Sequence, residues 1–178
     1  MLKKILLALV VMAVVLVVII SNRPSEFRVT RSAMMSAPVP SVFAEVNDLH
    51  KWNGWSPWAK MDPNAKNSFE GSAAGAGAKM SWAGNMKVGA GSMTILESHP
   101  NDLIRIKLEF FKPFSGDATT EFDFQPQGRQ TVVSWSMYGR SNFIHKLMSV
   151  FIDCDKMIGG TYEQGLATMK TIVETART

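Results

Sequence analysis

A single run of apolar residues near the start of the chain constrains its folding more than any other feature. Every residue from Ile5 to Ile20 is apolar, and as an α-helix this run would be about 24 Å long. That length is short but adequate for the hydrocarbon core of a bilayer. A helix packed in a soluble core would have a polar face, and this run has none. The run therefore predicts a transmembrane helix.

The residues that follow the run indicate whether it is removed. Residues 18–24 lack the small-x-small pattern of a signal peptidase site, and the run is longer than the usual apolar region of a signal peptide. No cysteine directly follows it, so a lipoprotein anchor is excluded. The sequence predicts an uncleaved anchor over residues 1–22, a linker over 23–26 and one domain over 27–178.

Charges around the apolar run give only a weak indication of its orientation. Lys3 and Lys4 precede it, while Arg23, Arg28 and Arg31 follow it, so the positive-inside rule is nearly balanced. A charged start followed directly by an apolar run is the pattern of a signal anchor. We therefore expect a single-pass membrane protein with an extracytoplasmic domain, and a cytoplasmic domain is the alternative.

The composition of the chain excludes several classes of function. The chain has 19 Lys and Arg against 15 Asp and Glu, a balance that does not indicate nucleic-acid binding. Its three histidines lack the spacing of metal ligands, so neither a metal site nor a cofactor is expected. Cys154 is the only cysteine and lies between two carboxylates, which predicts an inert thiol because such neighbours raise a thiol's pKa.

Hydrophobic periodicity predicts the order of secondary structure after the anchor. Residues 27–35 have the pattern of a strand, and residues 38–49 that of an amphipathic helix opened by prolines. A short helix or turn over 50–58 precedes about six strands, of which residues 103–110 show the clearest alternation. The last forty residues return to helical spacing, from Phe143 to Val173, with a kink or boundary expected at Gly159-Gly160. This order indicates an α+β fold with helices on one face of an antiparallel sheet.

Particular residues within that order carry a resemblance to a known superfamily. They are Ala37-Pro38 with Val42-Phe43-Ala44, the segment from Trp52 to Trp58, Gly77-Ala78 before Trp82, the segment from Gly91 to Ile95 with Glu97-Ser98, and Gly165-Leu166. Together they resemble the START/Bet v 1-like superfamily, also called SRPBCC, and in particular its bacterial polyketide cyclase/dehydrase-like members. The resemblance covers about residues 27–176. It implies a helix-grip fold, in which a curved antiparallel sheet of six or seven strands wraps a long C-terminal helix and leaves an apolar cavity.

Large apolar side chains on the inward faces are the candidates for lining such a cavity. Trp82 and Trp135 alternate with polar neighbours on strands and are the preferred pocket walls, and methionines would suit a cavity that accepts varied shapes. The alternative for each residue is an ordinary place in the core. The candidate ligand-binding residues are Trp55, Trp58, Met80, Trp82, Met93, Phe110, Phe122, Trp135, Met137 and Tyr162.

Glu97 is the one weak candidate for acid–base catalysis, because strand alternation assigns it to the face of Met93 and Ile95. The alternative is a structural role, such as an ion pair with Arg105.

Three functions are compatible with these observations. The first is a membrane-anchored domain that binds a hydrophobic small molecule or lipid. The second is a cyclase/dehydrase-type enzyme that uses a cavity carboxylate, although no residue pattern requires an enzyme. The third is a ligand-free interaction or stress-response module, which would fill the cavity with its own side chains.

Overall fold

A computed structural model describes residues 1–141, 146–147, 150 and 153–176 of the chain. The expected first strand and helices are present within these residues. Helix α1 (Leu2–Ser21) precedes strand β1 (Glu26–Met35), and α2 (Val39–Asn47) follows β1. Helix α1 is long and apolar enough to cross a membrane, and nearly all of its side chains are exposed.

Seven antiparallel strands form one sheet in the order β1-β7-β6-β5-β4-β3-β2. The six strands that follow the helical segment are β2 (Lys66–Gly71), β3 (Ala78–Ala83), β4 (Ala90–His99), β5 (Leu103–Lys112), β6 (Gly116–Gln127) and β7 (Gln130–Arg140). Five consecutive hairpins join β2 to β7, and β1 pairs with β7 to complete the sheet. The sheet and the long C-terminal helix confirm the predicted helix-grip architecture.

The strand register defines two ends of the sheet. Glu26 of β1 pairs with Arg140 of β7, so the strand that follows α1 starts where β7 finishes. We call this the proximal end, because it is the end at which the chain enters the sheet from α1. It also holds the start of β2, β4 and β6 and the finish of β3 and β5. The opposite end is the distal end.

Short helices cover part of the sheet between β1 and β2. Pro38 and Pro40 open α2, where a missing backbone N–H has no cost. A 3₁₀ turn (Leu49–Lys51), α3 (Trp52–Trp55) and α4 (Pro57–Met61) follow. The indole N–H groups of Trp52 and Trp55 donate to the carbonyls of Val46 and Glu45, which ties α3 to the end of α2.

The C-terminal helix α5 (Cys154–Thr175) crosses the sheet. Asp153 caps its first turn by accepting a hydrogen bond from the N–H of Lys156. The helix runs through Gly159-Gly160 without a boundary, so the expectation of two helices meeting there is wrong. The guanidinium of Arg31 packs against Gly159 and forms ion pairs with Asp155 and Glu163. A larger residue at position 159 would leave no room for this guanidinium. Most of the predicted helical stretch before Asp153 lies outside the described residues.

The main core lies in the distal half of the sheet. Val42, Phe43 and Val46 of α2 are buried there against the sheet, and Phe43 meets Phe124 edge to face at a centroid distance of 5.3 Å. Met169 and Val173 belong to the same core from α5. This half of the molecule is therefore filled by side chains.

Candidate functional site

A pocket of about 550 Å³ lies in the proximal half, between the sheet, the α3–α4 segment and α5. Its walls are mainly apolar, with side chains from β3 to β7 on one side and from α3, α4 and α5 on the other. The lining residues are Trp52, Asn53, Ser56, Trp58, Ala59, Asp62, Pro63, Ala65, Asn67, Met80, Trp82, Val88, Met93, Leu108, Phe110, Thr120, Trp135, Met137, Ile158 and Tyr162. Asn53 and Pro63 are exposed at its mouth.

Stacked aromatic rings separate the pocket from the distal core. Tyr162 of α5 stacks on Trp135 of β7 with centroids 3.8 Å apart and planes 7° from parallel. Phe122 of β6, the cross-strand partner of Trp135, stacks on the same indole at 4.9 Å. Because these rings are held by two strands and the helix together, the pocket has a rigid floor.

Gly165 allows α5 to approach this floor closely. A Cβ atom at residue 165 would lie 2.9 Å from Cζ3 of Trp135 and 3.1 Å from Cδ of Pro57. Any larger residue would therefore push the helix away from both the sheet and α4. The glycine sets the depth at which Tyr162 meets Trp135.

Thr120 is the polar group at the base of the pocket, and its hydroxyl is fully used. It donates to the carbonyl of Ser136 and accepts from the indole N–H of Trp135, both at 2.8 Å. Burial raises the pKa of the Tyr162 hydroxyl, and a hydrogen bond with Thr120 partly opposes that rise. These three side chains satisfy one another and leave the base of the pocket without a free charge.

Two polar groups in the α3–α4 segment are free. The hydroxyl of Ser56, a residue only 8% exposed, does not cap α4 and forms no hydrogen bond in the described chain. Because no fully buried side-chain oxygen there lacks a partner, this hydroxyl must be accessible from the pocket. The indole N–H of Trp58 likewise donates to no group within the described residues, whereas the other four tryptophans each donate to a protein oxygen. Ser56 and Trp58 can therefore offer hydrogen bonds to a molecule in the pocket.

Asp62 is the carboxylate among the lining residues, and the backbone occupies both of its oxygens. Oδ1 accepts from the N–H of Asn64 at 3.1 Å, and Oδ2 accepts from the N–H of Asn85 at 2.6 Å. This carboxylate joins the turn after α4 to the β3–β4 turn. Its geometry is that of a structural link between two loops.

Comparisons with known proteins give a fold and no sequence family. No family model and no curated protein matches the chain. Among solved structures, a protein from Chromobacterium violaceum is 20% identical, with a TM-score of 0.58 over 85% of this chain and 99% of that one. Ara h 8.0201 is 9% identical with a TM-score of 0.55, over 84% of this chain and 99% of that one.

The di-domain ARO/CYC protein StfQ, from the steffimycin biosynthetic pathway, is 10% identical with a TM-score of 0.62. The match covers 85% of this chain and 52% of StfQ, so the chain spans about half the length of that protein. A Bet v 1-like protein and a polyketide ARO/CYC domain thus share one architecture with this chain. The chain has the helix-grip fold.

Eight of the ten predicted ligand-binding residues line the pocket. They are Trp58, Met80, Trp82, Met93, Phe110, Trp135, Met137 and Tyr162. Trp55 and Phe122 do not line it. Both are fully buried behind Trp135, where Trp55 meets the Trp135 ring at 5.5 Å. Whether any of these residues binds a ligand stays a prediction.

The structure places Glu97 on the outer face of the sheet, away from the pocket. Strand β4 has a bulge at Leu96, because Ile95 pairs with Ile106 while Glu97 pairs with the next residue of β5, Arg105. One extra residue reverses the facing of everything after it. The assignment of Glu97 to the face of Ile95 is therefore wrong. Its carboxylate lies 2.6 Å from Nη1 of Arg105, the structural alternative that the sequence offered.

Sequence reasoning missed most of the polar lining residues. Thr120 stood out as a hydroxyl within an otherwise apolar inward face of β6, which was a usable signal. Ser56 gave no such signal, since a serine before a proline is typical of a helix start. Only the path of the α3–α4 segment shows that its hydroxyl has access to the pocket.

Proposed function

We propose that this domain binds a hydrophobic small molecule or lipid in the proximal pocket, while residues 5–20 hold it at a membrane. The observation that carries the proposal is an open, mainly apolar space of about 550 Å³ between the sheet and α5. Ligand pockets in proteins commonly have volumes of about 300–1,000 Å³ and few polar groups. A molecule that buries about 200 Å² of apolar surface there would gain about 5 kcal/mol before the costs of binding.

The free polar groups indicate how the ligand would be oriented. Ser56 can donate or accept a hydrogen bond and the indole N–H of Trp58 can only donate. Together they suit an oxygen of a carbonyl, carboxyl or hydroxyl group at one end of an otherwise apolar molecule. The remainder of the ligand would contact Met80, Met93 and Leu108, which offer no hydrogen bonds.

Helix α1 supports the membrane part of the proposal by its length and composition. A tethered domain has access to molecules dissolved in the bilayer, which favours a lipophilic ligand over a water-soluble metabolite. The extracytoplasmic position of the domain remains a prediction from the charge pattern.

Binding is better supported than carboxylate catalysis. Glu97 lies outside the pocket, and both oxygens of Asp62 accept backbone hydrogen bonds. A general acid or base must reach the reacting proton, which Glu97 cannot do, and the two backbone hydrogen bonds give the carboxylate of Asp62 a structural role. The ligand-free alternative required a pocket filled by its own side chains, so the open space also favours binding.

The proposal can be tested with the full chain reconstituted in nanodiscs and analysed by native mass spectrometry with oleic acid as the probe. Leu108→Trp should occupy part of the pocket and reduce oleate binding by about tenfold or more, since a loss of about 1.4 kcal/mol of contact is enough. Leu96→Trp is the matched control, because Leu96 is exposed on the outer face. Equal binding by the two variants, or a wild-type protein that takes up neither oleate nor lipid, would contradict the proposal.

A further inference from the structure

Two neighbouring turns at the proximal end expose large apolar side chains. Met86, in the β3–β4 turn, is 85% exposed. Phe111 and Phe114, at the β5–β6 turn, are 57% and 59% exposed. Phenylalanine in contact with water costs free energy unless another apolar phase covers it. Three such side chains at one end of the sheet indicate a surface that contacts something apolar.

The two turns form one continuous surface. Ala90 of β4 pairs with Lys112 of β5, so the turns leave adjacent strands. Gly89 packs so closely on the Lys112 carbonyl and the ring of Pro113 that a Cβ atom there has no room. We call this surface the proximal tip and define it as Met86, Lys87, Phe111, Lys112 and Phe114.

The proximal tip lies at the end of the sheet where the chain enters from α1. Helix α1 ends at Ser21 and β1 starts at Glu26, and the four residues between them span at most about 14 Å. Strand β5 is three strands from β1 in the sheet order, which corresponds to about 15 Å along the strand ends. A bilayer that contains α1 would therefore lie within reach of the tip.

The charges of the tip suit a lipid surface. Lys87 and Lys112 are exposed, and neither forms an ion pair in the described part of the chain. The two turns themselves, over residues 84–89 and 111–116, include these two lysines and no acidic residue. Each lysine near an anionic membrane surface contributes about 1 kcal/mol of attraction. Apolar side chains flanked by lysines are typical of segments that enter the headgroup region.

We propose that the proximal tip inserts its apolar side chains into the headgroup region of the bilayer that α1 crosses, and that anionic lipid strengthens this contact. The inference rests on the membrane anchoring in the proposed function. The inference adds an orientation of the domain to that anchoring. Val88 and Phe110 line the pocket, and they directly adjoin Lys87 and Phe111 of the tip in the sequence. A docked tip places the rim of the pocket against lipid, so that a ligand could pass between bilayer and pocket with little exposure to water.

The experiment uses the full chain in nanodiscs, with Cys154→Ser as the background and a single cysteine carrying an environment-sensitive fluorophore. Phe114→Cys and Met86→Cys report on the two turns independently, so one misfolded variant does not remove the test. Gln127→Cys is the matched control, because it lies in an exposed position at the distal end. Lipids with a quencher near the headgroup should quench the probes at 114 and 86 several-fold more than the probe at 127. Replacing Lys87 and Lys112 by Gln should reduce that quenching in phosphatidylglycerol and leave it unchanged in phosphatidylcholine.

Two results would overturn the inference. The first is equal quenching at residues 86, 114 and 127 in chains that are incorporated in the nanodisc. The second is a probe signal at 114 that depends on protein concentration and not on quencher lipid, which would mean that a second copy covers the tip. Both are separable from failure of the proposed function, because oleate binding is measured without these probes.

Discussion

The distal and proximal halves of this domain share one sheet and one helix, yet one half is filled and the other is hollow. Helix α2 covers the distal half and adds Val42, Phe43 and Val46 to its core. The proximal half is covered by the short helices α3 and α4 and by the start of α5, and the inward positions of its strands include the small residues Ala118 and Gly91. The pocket is the gap that remains between these helices and the sheet. Stability and binding are therefore expected to depend on different halves.

The largest expected effect compares two phenylalanines on adjacent strands. Phe124→Ala removes a ring from the filled half, where it is 2% exposed and contacts Phe43. We expect the free energy of unfolding to fall by about 3–5 kcal/mol, because a cavity replaces close packing. Phe110→Ala removes a ring that already borders the pocket, and we expect a loss of about 1–2 kcal/mol.

Urea denaturation of the two variants, with oleate binding measured in parallel, checks this comparison. Phe110→Ala should alter ligand binding, and Phe124→Ala should alter stability. Equal losses of stability would show that the proximal half is packed as tightly as the distal half in solution.

A smaller effect is expected at two glycines of α5. Gly165→Ala should destabilise the protein by about 1–3 kcal/mol, because the added methyl group meets Trp135 and Pro57. Gly160→Ala is the matched control in the same helix, where a Cβ atom has nothing within 4 Å. It should stabilise by about 0.5–1 kcal/mol through helix propensity. Thermal unfolding followed by circular dichroism measures both, and a stabilising Gly165→Ala would mean that α5 does not rest on the aromatic floor.

The last comparison, in which no effect is expected at neutral pH, concerns alkaline pH at the boundary between the halves. Burial raises the pKa of Tyr162 in the folded protein, so its contribution to stability is complete below the ordinary tyrosine pKa near 10 and is lost as the pH rises through the folded-state value. Each pH unit above 10 should cost about 1.4 kcal/mol until Tyr162 ionises in the folded state. Tyr162→Phe should therefore unfold at a higher pH than the wild-type protein.

The chain has only two tyrosines, which makes that test clean. In Tyr138→Phe the tyrosinate absorbance reports Tyr162 alone and should rise only as the protein unfolds. A rise at pH 10 with the fold intact would show that water reaches Tyr162 through the pocket.

Sequence patterns predicted the strands well because their inward faces alternate strictly, as in β5 and β6. The alternation of apolar and polar residues predicts on which face of the sheet a side chain lies, but not how deeply it is buried. Trp55 and Trp58 come from one motif, yet the first is fully buried and the second lines the pocket, because a turn at Ser56-Pro57 separates their helices. The prediction for Glu97 was wrong for a different reason. The bulge at Leu96 adds one residue to β4 relative to β5, and nothing in the sequence of this strand indicates it.

Under the proposed membrane anchoring, the short link between α1 and β1 has a kinetic consequence. For a domain held about 14 Å or less from a bilayer, meeting a lipid is no longer a search through solution, because the effective concentration of partners near a short tether is in the millimolar range. An intrinsic affinity that would be ineffective in dilute solution then suffices to load the pocket. In that state the rate of release, and not the rate of encounter, would limit the exchange of molecules in the proposed pocket.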